Sequence, residues 1–391
     1  MKITVLGAGA MGSAVAYDLC QRPEVTRVQV VEARPAVLRA FRAEFDHPRL
    51  RTHAADVRDV PALQTLVAGS ACLVSCVAPD HNPPLADLAL RLGAHFVDLG
   101  GPEPLLAELE ALAPRAEAQG RWVVPSCGLA PGLVNVLTLR AVDRFDRPRA
   151  ACIRVGDVPT EPKAPFNYRL AHSAEKLLDD YTEPVVVLRN GRIEVVEPLT
   201  GLEDVEVGDE FGTLEAFYAA GGLPALTRAL ADRLDRLDVK TLRYPGHASQ
   251  MRFLLDLGLA AREVLDVRTH LTYRDVLVRR LRQRLGGAYK DAVLVRVEVV
   301  GEVVGEVAGE ERTLTYQLVD RFDEATGLSA MRRCTAFPAA AVAVLLATGR
   351  IGGGGVAPPE QIVPPEPFFD ALAERGIAVA ERWTEPEAVE A

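Results

Sequence analysis

The chain has 391 residues, beyond what one hydrophobic core usually serves, and 49% of them are apolar, so two ordinary globular domains are expected. A net charge of -10 with no basic stripe argues against nucleic acid as a partner, because binding phosphates needs a basic face. Six scattered cysteines (20, 72, 76, 127, 152 and 334) include no CxxC pair and have no neighbouring His pair, which predicts neither a metal site nor a disulfide framework and fits a reducing cytoplasm.

The first predicted elements are a strand, a glycine turn and a helix start, MKITVLGAGAMGSAVAYDL. Gly7 permits the tight turn, Gly9 lets backbone approach a pyrophosphate, and Gly12 lets the helix pack closely on the strand. The unpaired amides at the helix start, around Ala10 and Met11, then face the phosphates. The next strand, RVQVVE, ends on Glu32, at the spacing of about 20 residues where an acid accepts hydrogen bonds from the adenosine ribose. A carboxylate there repels a 2′-phosphate, so NAD is expected over NADP, although Arg34 weakens the preference. The N-terminus enters the first strand at once, which is expected to leave no room for a leader, and no apolar run reaches membrane-spanning length. A cytoplasmic protein without a membrane partner is therefore expected.

Four further strand-like runs follow at 50–54, 71–78, 95–99 and 122–126, separated mostly by helical patterns such as PPLADLALRLG. The alternation predicts an α/β architecture, a Rossmann-type doubly wound parallel sheet of about six strands. Ligands in such sheets lie beyond the carboxyl ends of the strands, which adds Asp56, Val77 and Ala78 to the cofactor set. By the same rule 77–81, 98–101 and 127–131 become candidate walls of the nicotinamide pocket.

Past PGLVNVLTLRAVDRF, read as a helix with Pro131 at its first position, the rhythm changes. VVVLRNGRIEVVE reads as a hairpin turning on Asn190 and Gly191. AVLVRVEVVGEVVGEVAGEERTLTYQLVDRF reads as two long strands joined by Gly/Glu turn chemistry. Between them lie a helical stretch (LEAFYAAGGLPALTRALADRL), a short strand (KTLRY) and another helix (SQMRFLLDLGLAAREVL). A mixed sheet with helices, hence a second α/β domain, is the expectation. AAAVAVLLATG reads as a buried helix, 352–367 as a turn and extended tail, and FFDALAERG as a last helix before a polar terminus that frays.

A nicotinamide enzyme must hold a substrate carbon near the ring and remove a proton from the group being oxidised. Asp98 ends strand HFVDL before two glycines, so it either receives that proton or caps the turn. Cys127, in SCGLAPG, is read as small pocket lining in preference to a nucleophile. In KTLRYPGH, Arg243 suits bidentate capture of a carboxylate. His247 suits either a proton relay near neutral pH or a turn, and Thr241 and Tyr244 flank them. Tyr168, His172, Ser173, Glu175, Tyr181, Glu215, Tyr218 and Thr227 together suggest a polar cleft wall.

The segments LGAGAMGSA, HFVDLGG, GLAPGLVNVL, EKLLDDYTEPVVVLRNG, FGTLEAF, KTLRYPGH and VAPPEQIVP resemble the saccharopine dehydrogenase-like family along nearly the whole chain. They are most similar to its branch that oxidises the ε-carbon of free lysine with NAD. The resemblance implies that the C-terminal segment returns to the cofactor domain. The expected division is thus 1–130 plus 336–391 for cofactor and 131–335 for substrate and dimerisation, in a homodimer or larger homo-oligomer. It further implies an amino-acid substrate, with Arg243 on its α-carboxylate, Asp98 or His247 taking the proton, and Tyr168, Glu215 and Tyr244 fixing the amines. Glu32 stands where the lysine branch has Asp. Cys127 occurs in the saccharopine-splitting relatives, which keeps open an opine-type substrate whose second acid arm would need another cation, from Arg154, Arg169 or Arg228. A regulator that binds NAD without turnover is the remaining alternative.

Overall fold

The computed structural model describes residues 1–171, 173–266, 268–303 and 311–384. In chain order its strands are β1 (Lys2–Leu6), β2 (Arg27–Glu32), β3 (Leu50–Ala54), β4 (Cys72–Ser75), β5 (His95–Asp98), β6 (Trp122–Val124), β7 (Arg147–Pro159), β8 (Val185–Arg189), β9 (Arg192–Val196), β10 (Glu203–Glu206), β11 (Thr213–Phe217), β12 (Arg236–Arg243), β13 (Val264–Asp266), β14 (Leu271–Thr272), β15 (Asp291–Glu302), β16 (Glu311–Arg321), β17 (Gly355–Val356) and β18 (Ala380–Thr384). The chain divides into two compact units. One comprises Met1–Leu139 with Arg332–Ala378, the other Arg140–Met331 with the segment that carries β18.

Unit one is a seven-stranded parallel sheet in the order β17-β6-β5-β4-β1-β2-β3. Its central strands are short apolar runs (ITVL, CLVS, HFVD) buried throughout, as parallel strands covered by helices on both faces must be. Strand order reverses between β1 and β4, the point where a doubly wound sheet opens a crevice beyond its carboxyl ends. The seventh strand, β17, lies in what reads as an extended tail. Two residues alone pair with Trp122 and Val123, too few to leave a periodic signal. In that tail 359–362 also form a short helix, followed by the helix Pro365–Ala373.

The helix Ala330–Ala347 is long and apolar enough to cross a membrane by length and composition, contrary to the reading that no such run exists. Its middle is core: Ala336, Ala339, Ala340, Val342 and Ala343 are at most 1% exposed. A buried ion pair, Arg375 to Asp18 at 3.0 Å, ties the returning segment into unit one. So does the Asn135 amide, donating to Glu360 Oε1 at 2.9 Å. The helix expected to start at Pro131 begins instead at Leu133, because Gly132 intervenes at φ +132°.

Unit two is a mixed sheet, β10-β11-β12-β7-β15-β16-β18, with β8 on β12 and β9 on β8. Only β12 and β7 run parallel among the described pairs. The hairpin is the one expected: Asn190 at φ 50° and Gly191 at φ 70° form the left-handed pair that a type I′ turn requires. LEAF, read as helix, is β11. Its side chains pair across β12 (Ala216 with Leu242), and helix begins only at Pro224. SQMRFLLDLGLAAREVL is helical only as far as Asp256, and its end forms β13. Strand β18 pairs with β16, so 380–384 belong to unit two rather than to the cofactor unit. The central Gly/Glu connection, His172 and the polar terminus lie outside the described residues.

Candidate functional site

In unit one the turn after β1 is built by the absence of side chains. A Cβ on Gly12 would sit 2.0 Å from the Gly7 carbonyl oxygen, and one on Gly7 would sit 2.8 Å from the Cys76 oxygen. Gly9 has open space around it, and as N-cap of the helix Ala10–Gln21 it offers no capping side chain. An uncapped helix start beside bare backbone is a cradle for phosphate. It opens onto a cleft of 440 Å³ lined by Gly7, Gly9, Glu32, Arg34, Asp56, Arg58, Val77 and Ala78 among others. Ala10 and Met11 stand at the helix start next to it.

Glu32 ends β2 with its carboxylate buried. Oε2 accepts from the Ala8 amide at 3.0 Å, and Oε1 accepts from Arg34 N and Nε, both at 2.9 Å. Burial pushes this carboxyl up, but the hydrogen bonds from Arg34 and the Ala8 amide outweigh it and hold Glu32 below the usual range. Arg34 is thereby paired, as is Arg58, which Asp56 binds at 2.6 Å. Both cations bordering the cleft are neutralised by acids of the same loops.

At the ends of β5 and β6 the structure assigns tasks that the sequence leaves open. Asp98 is 1% exposed, and its Oδ1 accepts from the amides of Gly100 and Ser126, each at 2.8 Å, joining two loops. Burial pushes its carboxyl up to about 6, although those amides and the Asn82 side chain pull the other way. Cys127 is buried, its thiol lies 3.6 Å from the Val124 carbonyl, and burial pushes it well above its ordinary value. A thiol so held is inert.

Unit two carries the other candidates. The parallel register of β12 on β7 pairs Thr241 with Val155 and, two residues on, brings Arg243 beside Asp157. Arg243 Nη1 donates to the Asp157 carbonyl at 3.3 Å and to the Leu242 carbonyl at 2.8 Å. The guanidinium lies over the Tyr168 ring, 4.6 Å from its centre. Burial works against its charge, but the Tyr181 and Tyr168 hydroxyls and the Asp157 carboxylate outweigh it and raise its pKa further. Arg243 Nε has no hydrogen-bond partner although it is buried.

Two expected site residues do other work. Glu215, opposite Arg243 in register, accepts from the amides of Gly246 (2.9 Å) and Ala248 (2.6 Å). It caps the helix His247–Asp256 instead of holding a substrate amine. His247 is fully buried among Phe166, Tyr168, Tyr181 and Phe217. Its Nε2 meets the Tyr181 hydroxyl at 2.9 Å and its Nδ1 the Phe166 carbonyl at 3.2 Å. Burial, and then the Arg243 charge, push it down to about 3, so it is no relay near neutral pH. Thr241 is half-buried on β12, and the Tyr244 hydroxyl donates to the Pro159 carbonyl at 3.2 Å. Arg154 is committed to Glu203 and Asp238, and Arg169 donates to the Arg284 carbonyl. Among the described residues no group of three or more His, Cys, Asp or Glu could hold a metal.

Asp157 is the residue that sequence reading missed. Its signal is a carboxylate inside the strand segment IRVGDVP, three residues after Arg154. It is 3% exposed, and Oδ2 accepts from the Tyr289 hydroxyl at 3.2 Å while Oδ1 is buried with no partner. Burial and the neighbouring Asp291 carboxylate push it up to about 7, against the pull of Arg243 and Tyr289.

Comparison with known proteins identifies the family. The family model for the saccharopine dehydrogenase NADP binding domain matches residues 3–124, and that for the saccharopine dehydrogenase C-terminal domain matches 128–377. A carboxyaminopropylagmatine dehydrogenase from Synechocystis is 26% identical over 149 residues, 36% of this chain and 37% of that relative's length. Among solved structures, the L-Glu-forming saccharopine dehydrogenase of Saccharomyces cerevisiae superposes with a TM-score of 0.83 at 18% identity, covering 98% of this chain and 99% of the other. A homospermidine synthase from Legionella pneumophila, solved with NAD, superposes with a TM-score of 0.67 at 14% identity, covering 100% and 92%. These likenesses establish the fold. With its family match and glycine cradle, unit one is a nicotinamide-dinucleotide-binding domain.

Proposed function

Since the chain belongs to the saccharopine dehydrogenase family, we propose that it is an NAD-dependent lysine 6-dehydrogenase, converting the ε-carbon of L-lysine to an aldehyde with release of ammonia. The observation that carries the reading is Arg243: a buried, permanently charged guanidinium with an unpartnered Nε, placed over the Tyr168 ring, suited to one carboxylate. Gly7, Gly9, Ala10, Met11, Gly12, Glu32, Asp56, Val77 and Ala78 would hold the cofactor, with Glu32 on the ribose. When bound, the dinucleotide supplies the hydride acceptor. The pairing of Arg34 with Glu32 and of Arg58 with Asp56 supports NAD.

Lysine's ε-ammonium, near pKa 10.4 unperturbed, cannot give up hydride from its carbon while protonated. Its proton must first leave, and Asp98, ionised above about pH 6, is the proposed acceptor. Oxidation yields an imine, water adds, ammonia departs, and the aldehyde closes on its own α-amine. Tyr168 orients Arg243, and His247 supports both through Tyr181. An opine substrate is disfavoured because Arg154, one cation available for a second acid arm, is held by Glu203 and Asp238. Purified protein with NAD and a panel of amines tests the reading. NADH formation from lysine is expected; silence on lysine with turnover of saccharopine sinks it.

A further inference from the structure

Unit two buries a guanidinium and a carboxyl group side by side without pairing them. Arg243 and Asp157 touch through backbone, yet no ion pair within 4.0 Å joins their side chains, and each keeps one buried polar atom unsatisfied, Nε and Oδ1. A buried charge left without its hydrogen bonds costs stability. The obvious remedy, a direct Arg243 to Asp157 bridge, has not formed. Tyr289 holds one carboxylate oxygen from one side, and Tyr168 holds the guanidinium from another. Each group is therefore fixed in place, with one buried polar atom unpartnered.

We propose that Asp157 and Arg243 form a receptor for an α-amino-acid zwitterion, Arg243 taking the α-carboxylate and Asp157 the α-ammonium. The receptor accepts α-amino acids that carry a distant amine and rejects polyamines that lack the carboxylate. An ammonium within reach of Oδ1 satisfies the orphan acceptor, and the carboxylate of the same molecule satisfies Nε. Burial and Asp291 make Asp157 reluctant to ionise when empty, so the ligand's cation is also what draws out its charge. The inference rests on the reading that the substrate is an amine-bearing amino acid, and it names the residue that makes the α-amine a requirement.

The test compares L-lysine with 6-aminohexanoate, which lacks the α-amine, and cadaverine, which lacks the carboxylate as well. Asp157→Asn should lower kcat/KM for lysine about ten- to a hundredfold, the worth of one charge-assisted hydrogen bond, and leave 6-aminohexanoate within about twofold. Arg243→Gln should depress both, and cadaverine should be a poor substrate of the wild-type protein. Calorimetry with L-norleucine and hexanoate reads the head group without turnover: the wild-type protein should prefer norleucine, and Asp157→Asn should abolish that preference. If lysine is not turned over but norleucine binds in this Asp157-dependent way, the lysine assignment fails and the receptor stands. Equal binding of norleucine and hexanoate by the wild-type protein, or equal losses for lysine and 6-aminohexanoate in Asp157→Asn, overturns the receptor.

Discussion

Replacing Glu32 separates the two jobs its carboxylate holds. One is internal: Oε2 takes the buried Ala8 amide and Oε1 pins Arg34. The other, proposed, is external, with the ribose diol of NAD. A hydrogen bond to a charged group is worth about 1.5–3 kcal/mol net. With part of the carboxylate's capacity already used inside the protein, about 3 kcal/mol is the reasonable stake for the diol, or roughly a hundredfold in Kd. Glu32→Ala should weaken NAD by about that factor. NADP should be unchanged or gain up to about tenfold, because the repelling charge is gone and Arg34, 69% exposed along its side chain, is released toward a 2′-phosphate. Orphaning the Ala8 amide also costs about 1–3 kcal/mol, visible as a lower melting temperature. Glu32→Gln keeps an acceptor for that amide and isolates the charge. Calorimetric titration with both dinucleotides is the assay. Equal losses for NAD and NADP in the Gln variant would show that Glu32 only shapes the loop, and the cofactor argument would fall.

Asp98→Asn should cut kcat by at least about a hundredfold and remove an acid limb near pH 6 from the rate profile, if the residue accepts the proton; unchanged kcat with reduced thermal stability would leave it a loop staple. His247→Phe should leave the rate profile between pH 5 and 8 in the shape of the wild type, since the imidazole is neutral there. Loss of a titration near pH 6.5 in that variant would restore the relay. Asp157, whose carboxyl rises from 3.8 in model peptides to about 7, faces Tyr289, Arg243, Asp291 and Tyr168. The folded chain therefore binds the extra proton between about pH 4 and 7, so stability should fall as pH rises through that window, by up to ~4 kcal/mol. Asp157→Asn should flatten the slope in denaturant melts, and an unaltered slope refutes the assignment. For the same reason norleucine should raise the melting temperature more at pH 8 than at pH 6; the opposite order counts against an ionised Asp157 in the bound state.

What could be read from sequence was what neighbours in the chain decide. Three glycines at fixed spacing, the acid closing the second strand and the Asn190-Gly191 turn are local choices, and each stands where its spacing puts it. Elements whose existence depends on a distant partner were illegible. Strand β17 exists because Trp122 and Val123 offer an edge, and β11 is extended rather than helical because β12 lies alongside. The candidate site divides in the same way. Arg243 announces itself by residue type on a strand. The fate of Glu215, spent on two amides 31 and 33 residues later, follows only from β11 meeting the turn after β12. Asp157 is inconspicuous because its importance lies in what surrounds it.

The chain leaves each unit and later returns to it, and this has a consequence for synthesis. Strand β6 keeps an open edge until residues 355 and 356 emerge, and β16 waits for 380–384. Neither sheet can be finished until those segments are made, and until Arg375 arrives Asp18 has its neighbour Arg22, at 3.5 Å, as its cationic partner. For most of translation the nascent protein presents unpaired strand edges, the surfaces most prone to associate with other chains. Truncations that look harmless at the C-terminus should therefore reduce yield of folded protein before they touch catalysis.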